Sequence, residues 1–278
     1  FLRDVQPRND SSSATYDRNF NHAEAGIQIR PGGGALEIAL SYAFNFDLFD
    51  SFSAADLFYH EGRLLATWDF LPKTAVFLDA NLRFLNWRNR LDGMREDSMP
   101  LRAVAGVRGF VTRKISLMAK AGYAQGFLKA GSDYKTGVGE ASVAFMPTAF
   151  TVIDLGYARG VEDSYYGRYF TDDHVHLSVQ QQFARRVNIT LWGAYSRLTF
   201  GAYTPPAGGD VTVNQTRRKD DVVRARAVVD FSIVQFVSVQ LGYQMDANLT
   251  RFRITEGGAV DRGRFLVHQA FGGVRLFY

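Results

Sequence analysis

The 278-residue sequence contains no cysteine. Neither a disulfide framework nor a thiolate metal site can therefore form in it. It also lacks any uninterrupted apolar run near the roughly 18–20 residues that a membrane-spanning helix needs, which excludes a helical membrane protein. A protein that crosses a membrane with strands is not excluded, because alternating lipid-facing and lumen-facing residues give near-average hydropathy. The mean hydropathy of −0.14 fits that second case.

Clustered basic charge is missing as well. The net charge is +4 and the sequence pI is about 9.3. Lys and Arg are nevertheless spread along the whole sequence, whereas nucleic-acid-binding proteins gather them in a stripe or patch. The sequence therefore does not favour a nucleic acid as a partner. A Gly-rich phosphate loop, an HExxH motif and a CxxC motif are all absent, so no cofactor is indicated.

The dominant pattern from Glu24 to Tyr278 is an alternation of apolar and polar residues with period two, which is typical of strands. The clearest segment is 36–48, where the even positions are large and apolar and the odd positions are polar or small. The pattern predicts that the odd positions of 187–195 and 237–245 contact lipid and the even ones line a lumen. There are thirteen such segments, at approximately 23–30, 35–48, 54–70, 74–87, 99–111, 115–127, 137–146, 150–160, 170–183, 187–199, 222–231, 235–247 and 264–278.

Connections between these segments alternate between short turns and longer polar stretches. The short turns lie near 31–33, 71–73, 112–114, 146–148, 184–186 and 232–233, and the longer stretches are 88–98, 128–136, 161–170, 200–220 and 248–262. Short periplasmic turns and longer outside loops are typical of outer-membrane barrels. In the longest stretch, Pro205, Pro206, Gly208 and Gly209 predict a fold back into the barrel mouth. At the mouth, three basic side chains of this stretch would pair with lumen acids: Arg217, Arg218 and Lys219.

Aromatic residues recur at two distances from the short turns. Strands that leave a short turn carry an outward tyrosine, and strands that return to one end in phenylalanine. The two predicted girdles comprise Tyr123, Tyr157, Tyr195 and Tyr243, and Phe70, Phe145, Phe183 and Phe231, with Tyr278 closing the series. Two rings of aromatics are what the two interfaces of a bilayer favour, whereas a soluble β-sandwich has no reason to align them.

The C-terminal stretch, with Gly273, Leu276 and Tyr278, resembles the β-signal that outer-membrane barrels present to their insertion machinery. The runs Ala25 to Pro31, Leu36 to Phe46, Tyr59 to Leu64 and Trp68 to Thr74 resemble the outer-membrane β-barrel porin family of Gram-negative bacteria. The resemblance implies an integral protein of the bacterial outer membrane. The implied partners are outer-membrane lipid and lipopolysaccharide, the barrel-insertion machinery and other envelope proteins.

The predicted fold is all-β, a transmembrane antiparallel up-and-down β-barrel of about 14 strands, of which 13 are visible in this chain. Residues 1–20 are predicted to form an extracellular loop or N-terminal segment, and residues 21–278 the transmembrane barrel. Because a closed antiparallel barrel needs an even number of strands, we expect a fourteenth strand from residues upstream of Phe1 or from another chain.

Charged and imidazole side chains fall at lumen parity in most segments. The predicted lining comprises Arg63, Asp79, Arg83, Arg102, Arg108, Lys120, Glu140, Asp154, His174, His176, Arg224, Arg226 and Asp230. With Glu61, Asp69 and Arg275, which share that parity, eight basic and six acidic residues line the interior. Two interpretations are open: a selectivity lining with a mild preference for anions, or a neutralised lattice of salt bridges that fills the interior.

Asp172, His174 and His176 share one face of a strand, with about 6.8 Å between alternate residues. Imidazole and carboxylate can bind a metal or respond to pH, but this spacing is too wide for one tetrahedral ion without help from neighbours. A polar lining of a wet lumen is the alternative, and we predict no metal site.

The other histidines, His22 and His60 among them, lack a Ser or Asp that the pattern places within hydrogen-bond reach, so we predict no catalytic residues and no enzyme.

The function that these patterns favour is an outer-membrane channel for small polar solutes with weak ion selectivity. A barrel of about 14 strands is wider than the eight-stranded kind that side chains fill. Small residues at lumen parity are expected to leave open space along the barrel axis. These residues are Ala39, Ser41, Ala43, Gly106, Gly122, Ala124, Ser142, Gly156, Ser178 and Gly242. The alternative is a structural or export subunit that anchors a larger envelope assembly, such as a polysaccharide or protein secretion complex.

Overall fold

Thirteen strands form one antiparallel sheet in the computed structural model. It describes residues 18–49, 56–88, 97–128, 133–163, 169–184, 186–202, 212–214, 217–256, 259–261 and 263–276. The strands of this sheet are β1 (Arg18–Ile29), β2 (Leu36–Phe49), β3 (Leu57–Leu71), β4 (Thr74–Trp87), β5 (Ser98–Phe110), β6 (Ile115–Leu128), β7 (Tyr134–Thr148), β8 (Thr151–Asp163), β9 (Tyr169–Phe183), β10 (Val187–Ala202), β12 (Arg217–Val234), β13 (Val237–Asn248) and β16 (Phe265–Leu276). A second sheet contains β11 (Thr212–Val213), β14 (Ile254–Glu256) and β15 (Ala259–Asp261).

Each strand of the large sheet pairs with the strands before and after it, which is up-and-down topology. The predicted fold class and the thirteen predicted strands are confirmed. Some boundaries differ from those predicted. β1 begins at Arg18, so the last three residues of the predicted segment 1–20 lie in a strand, and residues 1–17 lie outside the described part. β12 extends beyond both ends of the predicted segment 222–231.

Two short turns contain residues in the left-handed backbone region. In the turn between β1 and β2, Gly32, Gly33 and Gly34 have φ values of 66°, 95° and 100°. Glycine adopts this conformation without steric cost, which explains the three consecutive glycines after Pro31. In the turn between β9 and β10, Ala184 has a φ of 48°.

One face of the sheet is apolar and exposed. Leu40, Leu155, Leu191 and Leu241 lie on it, and Leu241 is 63% exposed. Soluble monomers rarely expose such large continuous apolar patches, whereas the outward side of a transmembrane barrel must be apolar to meet lipid. We therefore call this face the outward face and the opposite one the lumen face. Within the described residues, no helix is long and apolar enough to cross a membrane.

The two end strands run in the same direction, since twelve antiparallel pairings separate them. Among the described residues, β1 pairs with β2 and β16 with β13, and β1 and β16 do not pair with each other. Open sheet edges are not tolerated in hydrocarbon, so the barrel needs a closing element. The fourteenth strand stays a prediction.

Candidate functional site

Cross-strand register places all the predicted lining residues on the lumen face. Asp79 lies opposite Val104, Arg63 opposite Asn81, and Arg226 opposite Trp192. The remaining predicted positions follow the same parity through the pairs of their strands. The sheet thus gathers on one surface charged residues that are far apart in the sequence.

Many of these charges are neutralised by a residue on the next strand. Arg63 donates two hydrogen bonds to Asp79, at 2.9 and 3.0 Å. The Lys120 ammonium lies 2.6 Å from a Glu140 oxygen. Arg224 lies 3.9 Å from Asp246, and the His176 imidazole contacts Asp154 at 2.8 Å. This part of the lining corresponds to the lattice interpretation.

Four arginines of the lumen face have no acidic partner within the described part of the chain: Arg102, Arg108, Arg226 and Arg275. Arg108 and Arg226 lie over aromatic rings, at 5.9 Å from Phe77 and 5.3 Å from Phe271. On the acidic side, Asp230 accepts a hydrogen bond from Gln240 at 2.9 Å, and Glu61 accepts one from Asn81. Charged groups of both signs therefore remain on the lumen face outside these salt bridges.

A polar cavity of about 480 Å³ lies against the lumen face between β3 and β9. Side chains of both charges line it, including Arg102, Lys120, Glu140 and Glu162. A recess of this size is within the range of small-molecule sites, about 300–1,000 Å³. Small polar solutes can therefore contact charges of both signs on this surface.

The three titratable residues on β9 do not converge on one point. The Asp172 carboxylate lies 3.4 Å from Nδ1 of His174, whereas His176 Nε2 contacts Asp154 instead, at 2.8 Å. The two imidazole rings are 6.2 Å apart between centroids. No group of three His, Asp or Glu side chains in the described ranges is placed to hold a metal ion. The three side chains therefore form a polar row along β9 and not one cluster.

The small inward residues do not all leave open space. A Cβ atom added at Gly156 would lie 2.3 Å from the His176 ring, and one added at Gly242 would lie 2.1 Å from the Phe271 ring. Each glycine is therefore covered by a ring from the next strand. The expectation that these two positions widen the lumen was wrong, because parity shows which face a glycine occupies but not what its neighbour places over it.

At the end of the sheet near the long connections, Arg218 is buried against the lumen side of β10 and β12. Its guanidinium donates to Asp220 at 2.6 and 2.9 Å and lies over Phe200 and Phe252, at 4.6 and 5.5 Å from the ring centroids. Asn248 donates a further hydrogen bond to Asp220, at 2.9 Å. Phe252 belongs to the connection after β13, so this connection packs over the barrel wall.

Of the three basic residues predicted to pair with lumen acids, Arg218 does so, and Lys219 is exposed at outward parity opposite Thr199. Arg217 is also exposed. The residues predicted to bend this connection, Pro205, Pro206, Gly208 and Gly209, lie outside the described residues. Sequence reasoning missed the small sheet of β11, β14 and β15, because strands of two or three residues are too short to show a period.

The predicted girdle residues lie on the outward face. All four tyrosines and all four phenylalanines expose a substantial part of the ring there, while Tyr278 lies outside the described residues. The tyrosine hydroxyls have partners that sequence reasoning missed: Tyr157 donates to Asp173 at 2.7 Å and Tyr195 to Asp221 at 2.5 Å. Gly273 and Leu276 of the predicted β-signal lie in β16.

An up-and-down antiparallel sheet with an apolar outward face and a charged lumen face defines the class of this chain, an integral outer-membrane β-barrel protein. Its strands and outward aromatics are those of a protein located in the bacterial outer membrane, as predicted. No family model matches the sequence, and no curated protein matches it.

Solved structures do resemble the chain. The FrpB iron transporter from Neisseria meningitidis (F3-3 variant) matches with a TM-score of 0.60 and 6% identity, over 88% of this chain and 45% of the transporter. The chain therefore spans less than half of that protein. OmpT, an outer membrane protein of Vibrio cholerae, matches at a TM-score of 0.39 and 10% identity, over 95% of this chain and 97% of OmpT. At 6% identity, the likeness to the transporter shows the outer-membrane barrel fold alone.

Proposed function

We propose that this chain forms the wall of an outer-membrane channel for small polar solutes, with weak ion selectivity, and that it is not an enzyme. The observation that carries the proposal is the lumen face, where salt bridges and unpaired arginines line one polar surface. Rings of charge set the ion preference of wide pores. The salt bridges and the remaining acids keep that preference weak, and the unpaired arginines shift it toward anions.

Single-channel recording of the full-length protein in planar bilayers tests the proposal. We expect conductance, and a reversal potential in a salt gradient that indicates weak ion selectivity. The triple variant R102Q/R108Q/R226Q should lower the anion-to-cation permeability ratio by about two-fold or more. One charge about 10 Å from a passing ion contributes only about 0.4 kcal/mol in water, so the effect of each arginine is small.

The matched control is K219Q, which removes one positive charge from the outward face and should leave the permeability ratio unchanged. If the protein inserts but conducts no ions, the channel proposal is wrong, and co-purification of envelope proteins in mild detergent would then favour the structural or export subunit. A triple variant with the selectivity of the unaltered protein would show that the arginines do not set the ion preference.

A further inference from the structure

A cavity of about 520 Å³ lies at the short-turn end of the sheet, between the β3–β4 turn and the β5–β6 turn. Three basic side chains and one acidic side chain line it: Lys73, Arg108, Arg113 and Asp69. Register places three residues of the lining at lumen parity, Ala75, Arg108 and Ser116. Short turns are periplasmic in outer-membrane barrels, so this cavity lies at the periplasmic mouth of the lumen.

Hydrogen bonds hold the two turns that carry Lys73 and Arg113. The Phe110 amide donates to the Lys73 carbonyl at 3.0 Å, which ties the β3–β4 turn to the end of β5. In the β5–β6 turn, the Thr112 hydroxyl accepts from the backbone amide of Lys114 at 3.1 Å. Threonine hydroxyls stabilise turns through bonds of this kind. Two basic residues that are far apart in the sequence are therefore carried by ordered turns on either side of one cavity.

The basic side chains of this cavity are not neutralised. Within the described part of the chain, no acidic side chain forms an ion pair with Lys73, Arg108 or Arg113. Arg108 lies over the Phe77 ring, at 5.9 Å from its centroid, and stacking on a ring leaves the N–H groups at the guanidinium edge available to an acceptor. Asp69 is the single acidic residue among the lining residues. Three basic residues and one acidic residue give the lining a net charge of +2.

The charged residues around the cavity do not reverse this sign. On neighbouring strands, the Arg30 guanidinium pairs with Glu37 at 2.8 Å and that of Arg63 pairs with Asp79 at 2.9 Å. Each of these pairs is neutral. Lys114 in the β5–β6 turn adds one further positive charge. The short-turn end of β3 to β6 is therefore electropositive.

A phosphate monoester has the chemistry that this cavity fits. Near pH 7 such a group carries a charge of about −1.5 to −2, which matches the net charge of the lining, whereas a carboxylate carries a single charge. Guanidinium groups bind phosphate through paired hydrogen bonds, and a lysine adds a point charge. Leu71 and Phe110 are exposed apolar residues of the same lining. They offer a surface to the organic part of a ligand.

We propose that this cavity binds the phosphate group of a small phosphorylated organic solute at the periplasmic mouth. Passage of that solute through the lumen rests on the proposed channel function, whereas its binding to the cavity does not. A phosphate could also come from the head group of an inner-leaflet phospholipid. Because Arg108 and Ser116 lie on the lumen side of the wall, away from hydrocarbon, we assign the site to a soluble ligand.

Isothermal titration calorimetry of the full-length protein in a non-ionic detergent tests the site with glucose 1-phosphate as the probe. We expect glucose 1-phosphate to bind and glucose, which lacks the phosphate, to bind at least ten-fold more weakly. K73Q and R113Q should each weaken binding of glucose 1-phosphate about ten-fold, as expected for loss of a hydrogen bond between charged groups. D69N removes the acidic charge of the lining and should strengthen binding.

The matched control is R186Q. Arg186 is an exposed basic residue in the short turn between β9 and β10, at the same end of the barrel and outside the cavity. R186Q should bind glucose 1-phosphate as the unaltered protein does. Equal affinities of K73Q, R113Q and R186Q, whether unchanged or reduced together, would overturn a site in this cavity, and so would equal binding of glucose and glucose 1-phosphate.

Native mass spectrometry of the protein released from phosphatidylglycerol nanodiscs distinguishes the two sources of phosphate. Added glucose 1-phosphate should not displace bound phosphatidylglycerol. Displacement from the unaltered protein that is lost in K73Q/R113Q would place a lipid head group in the cavity and overturn the assignment to a soluble ligand. Heat-dependent gel mobility identifies variants that have folded, and only those are compared. Binding in detergent does not require conduction, so failure of this site and failure of the channel proposal are separate results.

Discussion

Replacing Arg218 with alanine is expected to lower the free energy of unfolding by about 3–5 kcal/mol. The Arg218 side chain is 3% exposed and that of Asp220 is 0% exposed. Removing the guanidinium would leave a buried carboxylate with a single amide donor from Asn248. A buried charge that loses its partner carries the full cost of desolvation. The loss of contact with the Phe200 and Phe252 rings adds to this effect.

Urea titration in lipid vesicles, followed by tryptophan fluorescence, measures this change. K219A is the matched control, because Lys219 is the next residue and is exposed. Substitutions at such surface positions usually change stability by no more than about 0.5 kcal/mol. If R218A unfolds at the same urea concentration as K219A, Arg218 and Asp220 do not form a buried pair.

Replacing Leu241 with arginine is expected to cost about 2–4 kcal/mol, the range for arginine on the lipid face at mid-membrane. Leu241 is the fifth of twelve residues in β13 and lies at outward parity. The adjacent Gln240 lies on the lumen face and donates to Asp230. Q240R should therefore have little effect on stability, since its charge enters a polar lumen beside an acid.

The same urea titration compares the two variants. A large cost for L241R and a small one for Q240R support the assignment of the two faces. Equal costs would mean that the outward face does not contact hydrocarbon.

The strand count and the two faces were predictable because every strand meets the same pair of environments. Lipid on one side and water on the other impose period two along the whole strand, as at 36–48 and 237–246. The register between strands was not predictable in the same way. Parity placed Tyr157 outward, but only the pairing of β8 with β9 brings its hydroxyl to Asp173.

The arrangement near the long connections was less accessible to sequence reasoning. Pairing of Arg218 with a lumen acid was expected from its charge, but its burial between Phe200 and Phe252 depends on a connection about 30 residues further along the chain. The coverage of Gly156 and Gly242 by neighbouring rings has the same origin. In each case the decisive contact joins segments whose relative positions depend on the tertiary fold.

Cysteine scanning of β13 with a membrane-impermeant thiol reagent tests most directly whether the sheet forms a membrane barrel. The chain contains no cysteine, so each single-cysteine variant reports one position. In a membrane barrel the reagent should label cysteines at Gln240 and Gln244, which face the lumen, and not those at Val239, Leu241 and Tyr243, which face lipid. Equal labelling of both sets in intact membranes would contradict the membrane barrel.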